Sequence, residues 1–291
     1  MDASAPVWGD ASDLIEMLDV RPDGDRRYVS VTRGTSERSV VEGSQILAQA
    51  VVVAARHAPG RRVVSAHMVF LRVADDALPL EFDVTELSAG RTFNALRIDV
   101  GQSGRLRATG TMLLGLPAGD VVRHEASPPD VPNPTESQPL DMGVTRRDIR
   151  VVGGAYGGDP GAPVGPPVID AWVRFLTVPD DPCLHSALLA QFTGHMSIAA
   201  ALRPHPGVGQ DQAHHSLSTA INAIAISFHA DVRADQWMLY HHLSTFAGDG
   251  MTHSECRVHD QEGRLIASFS VDAMVRRFVG TVADVPESGL L

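Results

Sequence analysis

Two long stretches of the chain alternate apolar and polar positions, and each follows a run with helical spacing. The segment VEGSQILAQAVVVAARHA (41–58) carries apolar residues at helical intervals after a Gly-Ser start, which predicts a helix. After it come AHMVFLRV (66–73), LEFDVTEL (80–87), TFNALRIDV (92–100) and RLRATGTMLL (105–114), each with period-two alternation. Gly-containing turns such as VGQSGR join them, so the pattern predicts antiparallel hairpins. Further along, LHSALLAQFTGHMSIAAAL (184–202) contains two helical runs broken at Thr193 and Gly194, and alternating segments follow it from 225 to 274.

The two stretches are copies of each other. Phe70 and Phe228, Thr92 and Thr252, and Arg97 and Arg257 pair at offsets of 158 to 160, as do the turns GRLRAT (104–109) and GRLIAS (263–268). A shared turn recurring with the same flanking alternation is the signature of an internal duplication. Between the copies, residues 117–143 hold six prolines and almost no apolar periodicity, and GGAYGGDPGAPVGPP (153–167) is dominated by glycine and proline. Such composition cannot bury a face and predicts a linker followed by a long loop. The expected units are therefore 1–116, a linker and loop at 117–167, and 168–291. A helix followed by about four antiparallel strands, twice, is the plan of an α+β double hotdog, in which each curved sheet wraps a central helix. A plain two-domain α+β protein is the structural alternative.

Composition narrows the function classes. All 24 basic residues are arginine and the net charge is −11, with the Arg pairs scattered, which excludes a basic nucleic-acid surface. The absence of lysine, with abundant Ala, Gly and Arg, reads as coding bias in a GC-rich, bacterial genome. No apolar run of spanning length occurs and the N-terminus lacks a basic region followed by an apolar run, so a soluble, cytoplasmic protein is expected. Cys183 and Cys256 are too few for a disulfide framework. Ten of the thirteen histidines fall between 185 and 259, but neither His214–His215 nor His241–His242 has a carboxylate at ligand spacing. Adjacent strand residues also point to opposite faces, so no metal is expected.

Several segments, in order, resemble the acyl-CoA thioesterase II family from near residue 10 to about 277. VEGSQILAQA is similar to that family's V-x-G-G-Q helix start, AHMVFLR to its H-S-Y-F-L-R strand, and AGRTFNALRI to D-G-R-S-F-x-x-R-R. In the second copy PDDPCLHSALLA, ALRPH, SFHADVRADQWMLY and DQEGRLIASFSVDAMVR match further family segments. The resemblance implies a double-hotdog fold, a coenzyme A or acyl-carrier thioester as substrate, and no other cofactor. Lipid metabolism and a homo-oligomer are expected with it. It also implies a mechanism in which an Asp before the second central helix, a Ser or Thr on the next strand and a Gln on the last strand activate water by general-base catalysis.

Carried over residue by residue, the Asp position is Gly194, the Ser/Thr position is Ile221 and the Gln position is Val271. None of the three can accept a proton or orient water. The remaining polar candidates are His195, Thr193 and Asn222 as catalytic groups. Gln45, His67, Gly194, Ile221, Val271 and Asp272 are candidate ligand-binding positions. His195 would be a neutral base at a helix start or a structural histidine, and Thr193 a hydroxyl or an N-cap. Gln45 and His67 are expected to flank the seam where ligand lies, with Asp272 a carboxylate partner if strand alternation turns it inward. Two readings follow: an enzyme acting on acyl thioesters with hydrolysis inherited from the family, or a repurposed double hotdog. The second would bind a lipophilic ligand or catalyse a non-hydrolytic step in lipid or natural-product metabolism.

Overall fold

The computed structural model describes residues 9–31 and 40–278. A short helix α1 (Ala11–Leu18) and two short strands, β1 (Arg21–Pro22) and β2 (Arg27–Val29), precede the first repeat. That repeat consists of helix α2 (Gly43–His57) and strands β3 (Arg62–Phe70), β4 (Glu81–Ala89), β5 (Phe93–Gln102) and β6 (Arg105–Gly115). Ile46 through Ala54 of α2 are all buried, as expected of a helix apolar all round that a sheet encloses. The second repeat opens with β7 (Gln138–Pro139), β8 (Arg147–Val151) and β9 (Val168–Phe175). Its helix is split into α3 (Pro182–Phe192) and α4 (Ser197–Leu202), followed by β10 (Leu217–Phe228), β11 (Met238–Gly248), β12 (Met251–Asp260) and β13 (Leu265–Arg277). Asp181 caps α3 through a 3.0 Å bond accepted from the Cys183 amide, with Pro182 at the first helical position.

The thirteen strands form one antiparallel sheet in the order β1-β2-β4-β5-β6-β3-β10-β13-β12-β11-β9-β8-β7. The halves join edge to edge at β3 and β10, where Met68 pairs with Ile224 and Ala66 with Ile226. Under the 158-residue offset of the repeat, Met68 corresponds to Ile226 and Ala66 to Ile224. The pairing is therefore isologous, and a local two-fold passes through the His67–Ala225 pair. The curved sheet encloses α2 in one half and packs α4 against β11 and β12 in the other, with α2 and α3 in contact across the seam. This is the double-hotdog arrangement expected from the sequence.

The expected linker is only partly a linker. β8 pairs along its length with β9 and buries Ile149 and Val151, while β7 adds a final rung. Upstream, the carbonyl of Pro132 accepts a 3.0 Å bond from Trp172 Nε1, and that of Ala126 lies 3.1 Å from His259 Nε2. The six prolines obscure these attachments in the sequence because they supply no ladder donors, yet their carbonyls still accept. α1 was not marked by the sequence pattern. It buries Leu14, Ile15, Met17 and Leu18 against α2 and α3, and Asp10 at its start bridges to Thr145.

Candidate functional site

Both central helices are interrupted or begin at the seam. α2 starts at Gly43, where an added Cβ would lie 3.1 Å from the Phe70 ring, so glycine lets the helix start press closely onto β3. One residue later, the Ser44 side chain reaches the break between α3 and α4. A Cβ built on Gly194 would stand 2.4 Å from Ser44 Oγ, 2.8 Å from Ser44 Cβ and 3.4 Å from Ile221 Cδ1. The Ser44 side chain thus occupies the volume any side chain at 194 would need. Where the family helix start has a second glycine, this chain has Ser44; where the family has Asp, it has Gly194. Ser44 Oγ is buried and has no hydrogen-bond partner.

Ile221 arrives at this place through a β-bulge. Ile221 and Ala223 pair with the consecutive residues Ala273 and Asp272, which leaves Asn222 as the extra residue. Its Oδ1 is buried and unpartnered. Ala273 and Val271 are both 1% exposed and line the inward face of β13 beside Ile221 and Ile224. Gly194 and Ile221, which the resemblance assigns to two parts of one catalytic set, do come together here. Ser44 is the polar side chain that meets them, and Val271 lies further along β13, paired with Ile224.

The helix break itself is held by local geometry. Thr193 ends α3 and donates its hydroxyl to the Ala190 carbonyl at 2.6 Å, so it closes a helix and is not the N-cap expected of it. Met196 takes a left-handed conformation, φ 67°, which redirects the chain into α4. His195 lies between them with its ring stacked on Phe192 at 4.7 Å and 5° between planes. Its Nδ1 is buried without a partner. Burial first, then the charges of Arg147 and His242, push its pKa down to about 3, so the ring is neutral and a weak proton acceptor.

Gln45 is buried in the first turn of α2, next to Ser44. His67 and Asp272 are not at the seam interior. Inward positions on β3 are Ala66 and Met68, so His67 points out of the opposite face of the sheet and is exposed. Asp272 likewise projects outward and holds His253 Nδ1 at 2.6 Å. The two residues therefore neither flank the enclosed seam nor reach one another across it. His67 instead lines an outer groove of about 700 Å³ with Thr111, Glu255, Arg257, Ser268 and Ser270.

Three buried groups at this site were not among the candidate site residues read from the sequence. Arg147, at the start of β8, is 8% exposed, and its guanidinium carbon lies 5.9 Å from the centroid of Phe192. Tyr240 packs edge-on against Phe192 at 4.9 Å and donates its hydroxyl to the Leu189 carbonyl at 3.2 Å. His242 is fully buried; its Nδ1 lies 3.4 Å from Ser197 Oγ and its Nε2 has no partner. Burial holds His242 down to about 3 as well. His241, one residue away, faces outward and meets Asp170 at 2.7 Å, as strand alternation requires. Among the described residues no three His, Cys, Asp or Glu side chains converge in a way that could hold a metal. No helix among them is long and apolar enough to cross a membrane.

Comparison with known proteins agrees with this fold. Residues 33–115 match the model of an acyl-CoA thioesterase N-terminal domain, and residues 123–274 that of an acyl-CoA thioesterase C-terminal domain. An acyl-CoA thioesterase 2 of Haemophilus influenzae is 25% identical over 284 residues, covering 91% of this chain and 97% of the relative. A human acyl-coenzyme A thioesterase 8 is 25% identical over 270 residues, with 80% of each chain covered. Among solved structures, the acyl-CoA thioesterase II TesB2 of Mycobacterium marinum superposes with a TM-score of 0.77 at 25% identity, covering 92% of this chain and 99% of that one. The tesB protein of Mycobacterium avium subs paratuberculosis gives the same TM-score, 0.77, at 23% identity, covering 91% of this chain and 99% of that one.

Proposed function

Because the chain belongs to the acyl-CoA thioesterase family, we propose that it takes an acyl thioester into the seam between its two hotdog units. We propose also that it does not hydrolyse it through the family's Asp-Thr-Gln route. The observation that carries this reading is the Ser44 side chain standing in the space of a residue-194 side chain, beside Ile221. General-base hydrolysis needs a proton acceptor within reach of water and donors aimed at the developing oxyanion. Gly194, Ile221 and Val271 provide neither. His195 is too weak a base to substitute, since its pKa of about 3 lies far below neutral pH. The apolar lining that remains suits an acyl chain, and the Ser44 hydroxyl is a polar group set against the break in the helix.

The test measures binding and turnover separately. Purified protein is titrated with acyl-CoAs of increasing chain length by calorimetry, while a thiol reagent follows release of coenzyme A. Affinity rises with chain length and thiol release stays slow in the native protein. The variant Ser44→Gly/Gly194→Asp/Ile221→Thr/Val271→Gln, which rebuilds the family set, releases thiol faster. Absence of acyl-CoA binding at every length overturns the thioester reading. Fast release by the native protein overturns the claim that the family chemistry is lost. The apolar positions Ile221 and Val271 also favour a second reading, a lipophilic ligand without a thioester, and binding of the free lipid but not of its coenzyme A ester distinguishes it.

A further inference from the structure

A buried cation without a counter-ion is costly, because transfer from water is compensated only by a partner charge and filled hydrogen bonds. Arg147 is in that condition. It is 8% exposed, and both Nε and Nη1 are buried with no hydrogen-bond partner. The nearest group on its guanidinium is the Phe192 ring, 5.9 Å from Cζ to centroid. Glu42, Asp141 and Tyr240 act on it electrostatically, yet Nε and Nη1 stay without a hydrogen-bond partner.

Its surroundings close on the site already described. Phe192 carries Arg147 and also the stacked His195. Gly194, next to His195, meets Ser44, and Ser44 lies in the first turn of α2, whose N-cap is the Glu42 that Arg147 senses. Arg147 Nε and Nη1, His195 Nδ1 and Ser44 Oγ are thus four buried, unpartnered polar atoms on adjoining elements. Charge-satisfied networks do not leave a guanidinium, an imidazole and a hydroxyl empty together.

We propose that Arg147 is the receptor for a carboxylate carried by the ligand, seated where β8 meets the α3–α4 break and the start of α2. The planar fork of a guanidinium matches a carboxylate in two parallel bonds along its Nε–Nη2 edge, and Nε, one half of that edge, has no partner. A single enclosed cation among aromatic rings suits one monoanion better than the multiply charged phosphates of coenzyme A, which keep their hydration. The carboxylate is either that of a free fatty acid or one at the far end of a carboxyacyl thioester. This inference rests on an acyl ligand occupying the seam.

Calorimetry on the full chain tests it with five probes: a medium-chain fatty acid, its primary alcohol, the matching acyl-CoA, the ω-carboxyacyl-CoA and inorganic phosphate. The fatty acid binds about tenfold or more tighter than the alcohol, or the ω-carboxyacyl-CoA tighter than the plain acyl-CoA by the same margin, as a charge-assisted pair requires. Whichever pair shows the difference identifies the source of the carboxylate. Arg147→Met abolishes the preference and leaves neutral-ligand affinity within about twofold, with thermal stability equal or higher because an unpaired charge is removed. Arg147→Lys, which keeps the charge but loses the fork, retains a weakened preference and serves if the Met variant does not fold. Equal binding of charged and neutral probes by the native protein overturns the proposal, as does a preference that survives Arg147→Met. Binding of phosphate as tight as the carboxylates also overturns it. Plain acyl-CoA that fails to bind at all refutes the thioester reading, whereas acyl-CoA that binds without any carboxylate preference refutes the Arg147 assignment alone.

Discussion

Replacing Gly194 by alanine is a one-carbon change whose sign the structure decides. Gly194 is not among the residues with positive φ, so alanine fits its backbone. At such a position Gly→Ala ordinarily stabilises by about 0.4–1 kcal/mol, through the entropy of the unfolded chain. Here the new Cβ would lie 2.4 Å from Ser44 Oγ and 2.8 Å from Ser44 Cβ, closer than Cβ atoms come to non-bonded neighbours, with Ile221 Cδ1 at 3.4 Å. Ser44 is 1% exposed and sits in the first turn of a helix buried on every side, so it cannot swing clear without moving α2. Overpacking of this kind costs about 1–3 kcal/mol. The net effect of Gly194→Ala is a loss of about 1–2 kcal/mol, and Ser44→Gly in the same chain recovers most of it. The coupling between the two changes, read from a double-mutant cycle in urea denaturation, is about 1–3 kcal/mol, in the range measured for residues in contact. A Gly194→Ala variant as stable as the native protein, or effects that add to within about 0.5 kcal/mol, would refute the account of Ser44 as the occupant of that space.

Acidification tests the buried imidazoles. His242 is fully buried and its pKa is pushed down to about 3 from 6.5. Between those values the unfolded chain binds a proton that the fold refuses, so stability is complete above pH 6.5 and falls as pH drops toward 3. At about 1.4 kcal/mol per pKa unit, the contribution is on the order of 5 kcal/mol across that window. His242→Gln reduces the dependence of melting temperature on pH between neutrality and about 4.5, with His195, equally depressed, retaining part of it; an unchanged slope would remove His242 as a cause. His67→Ala and Asp272→Asn, both on the outer face, leave acyl-CoA affinity and thiol release within about twofold, because side chains across the sheet do not touch a seam ligand. A loss above about tenfold would move the ligand to the outer groove. Burial pushes the Cys183 thiol up to about 12 and Cys256 well above its usual range, so neither is a thiolate near neutrality. The folded protein therefore reacts with a disulfide reagent at least about tenfold more slowly than the same chain in urea, and equal rates would contradict the raised pKa of both thiols.

The duplicated helix-then-strands pattern is determined by the sequence alone. Period two and the Gly turns mark β3 to β6 and β10 to β13, and the apolar run after Gly43 marks α2 as a helix. Even the break at Thr193–Gly194 is visible, because a threonine and a glycine interrupt the alanine-rich run. Alternation sorts residues onto two faces but does not say which face the helices will cover. That is why His67 and Asp272 were expected at the seam and lie outside it. The bulge at Asn222 shifts the alternation by one residue midway along β10, which only the pairing with β13 reveals.

Contacts between distant segments were decided by the tertiary structure. Ser44 and Gly194 stand 150 residues apart in the chain, and each alone is an ordinary small residue at a helix end. Their meaning appears only when the edge-to-edge union of β3 and β10 brings α2 against the α3–α4 break and one side chain fills the room of the other. Arg147 lay inside a stretch whose prolines and glycines spoke for a loop, and its burial depends on β8 finding β9. Local periodicity is a short-range property of the chain, so it fixed the elements. The site is made of packing between elements that share no local signal, so the fold alone brought a guanidinium, an imidazole and a hydroxyl without partners onto adjoining elements.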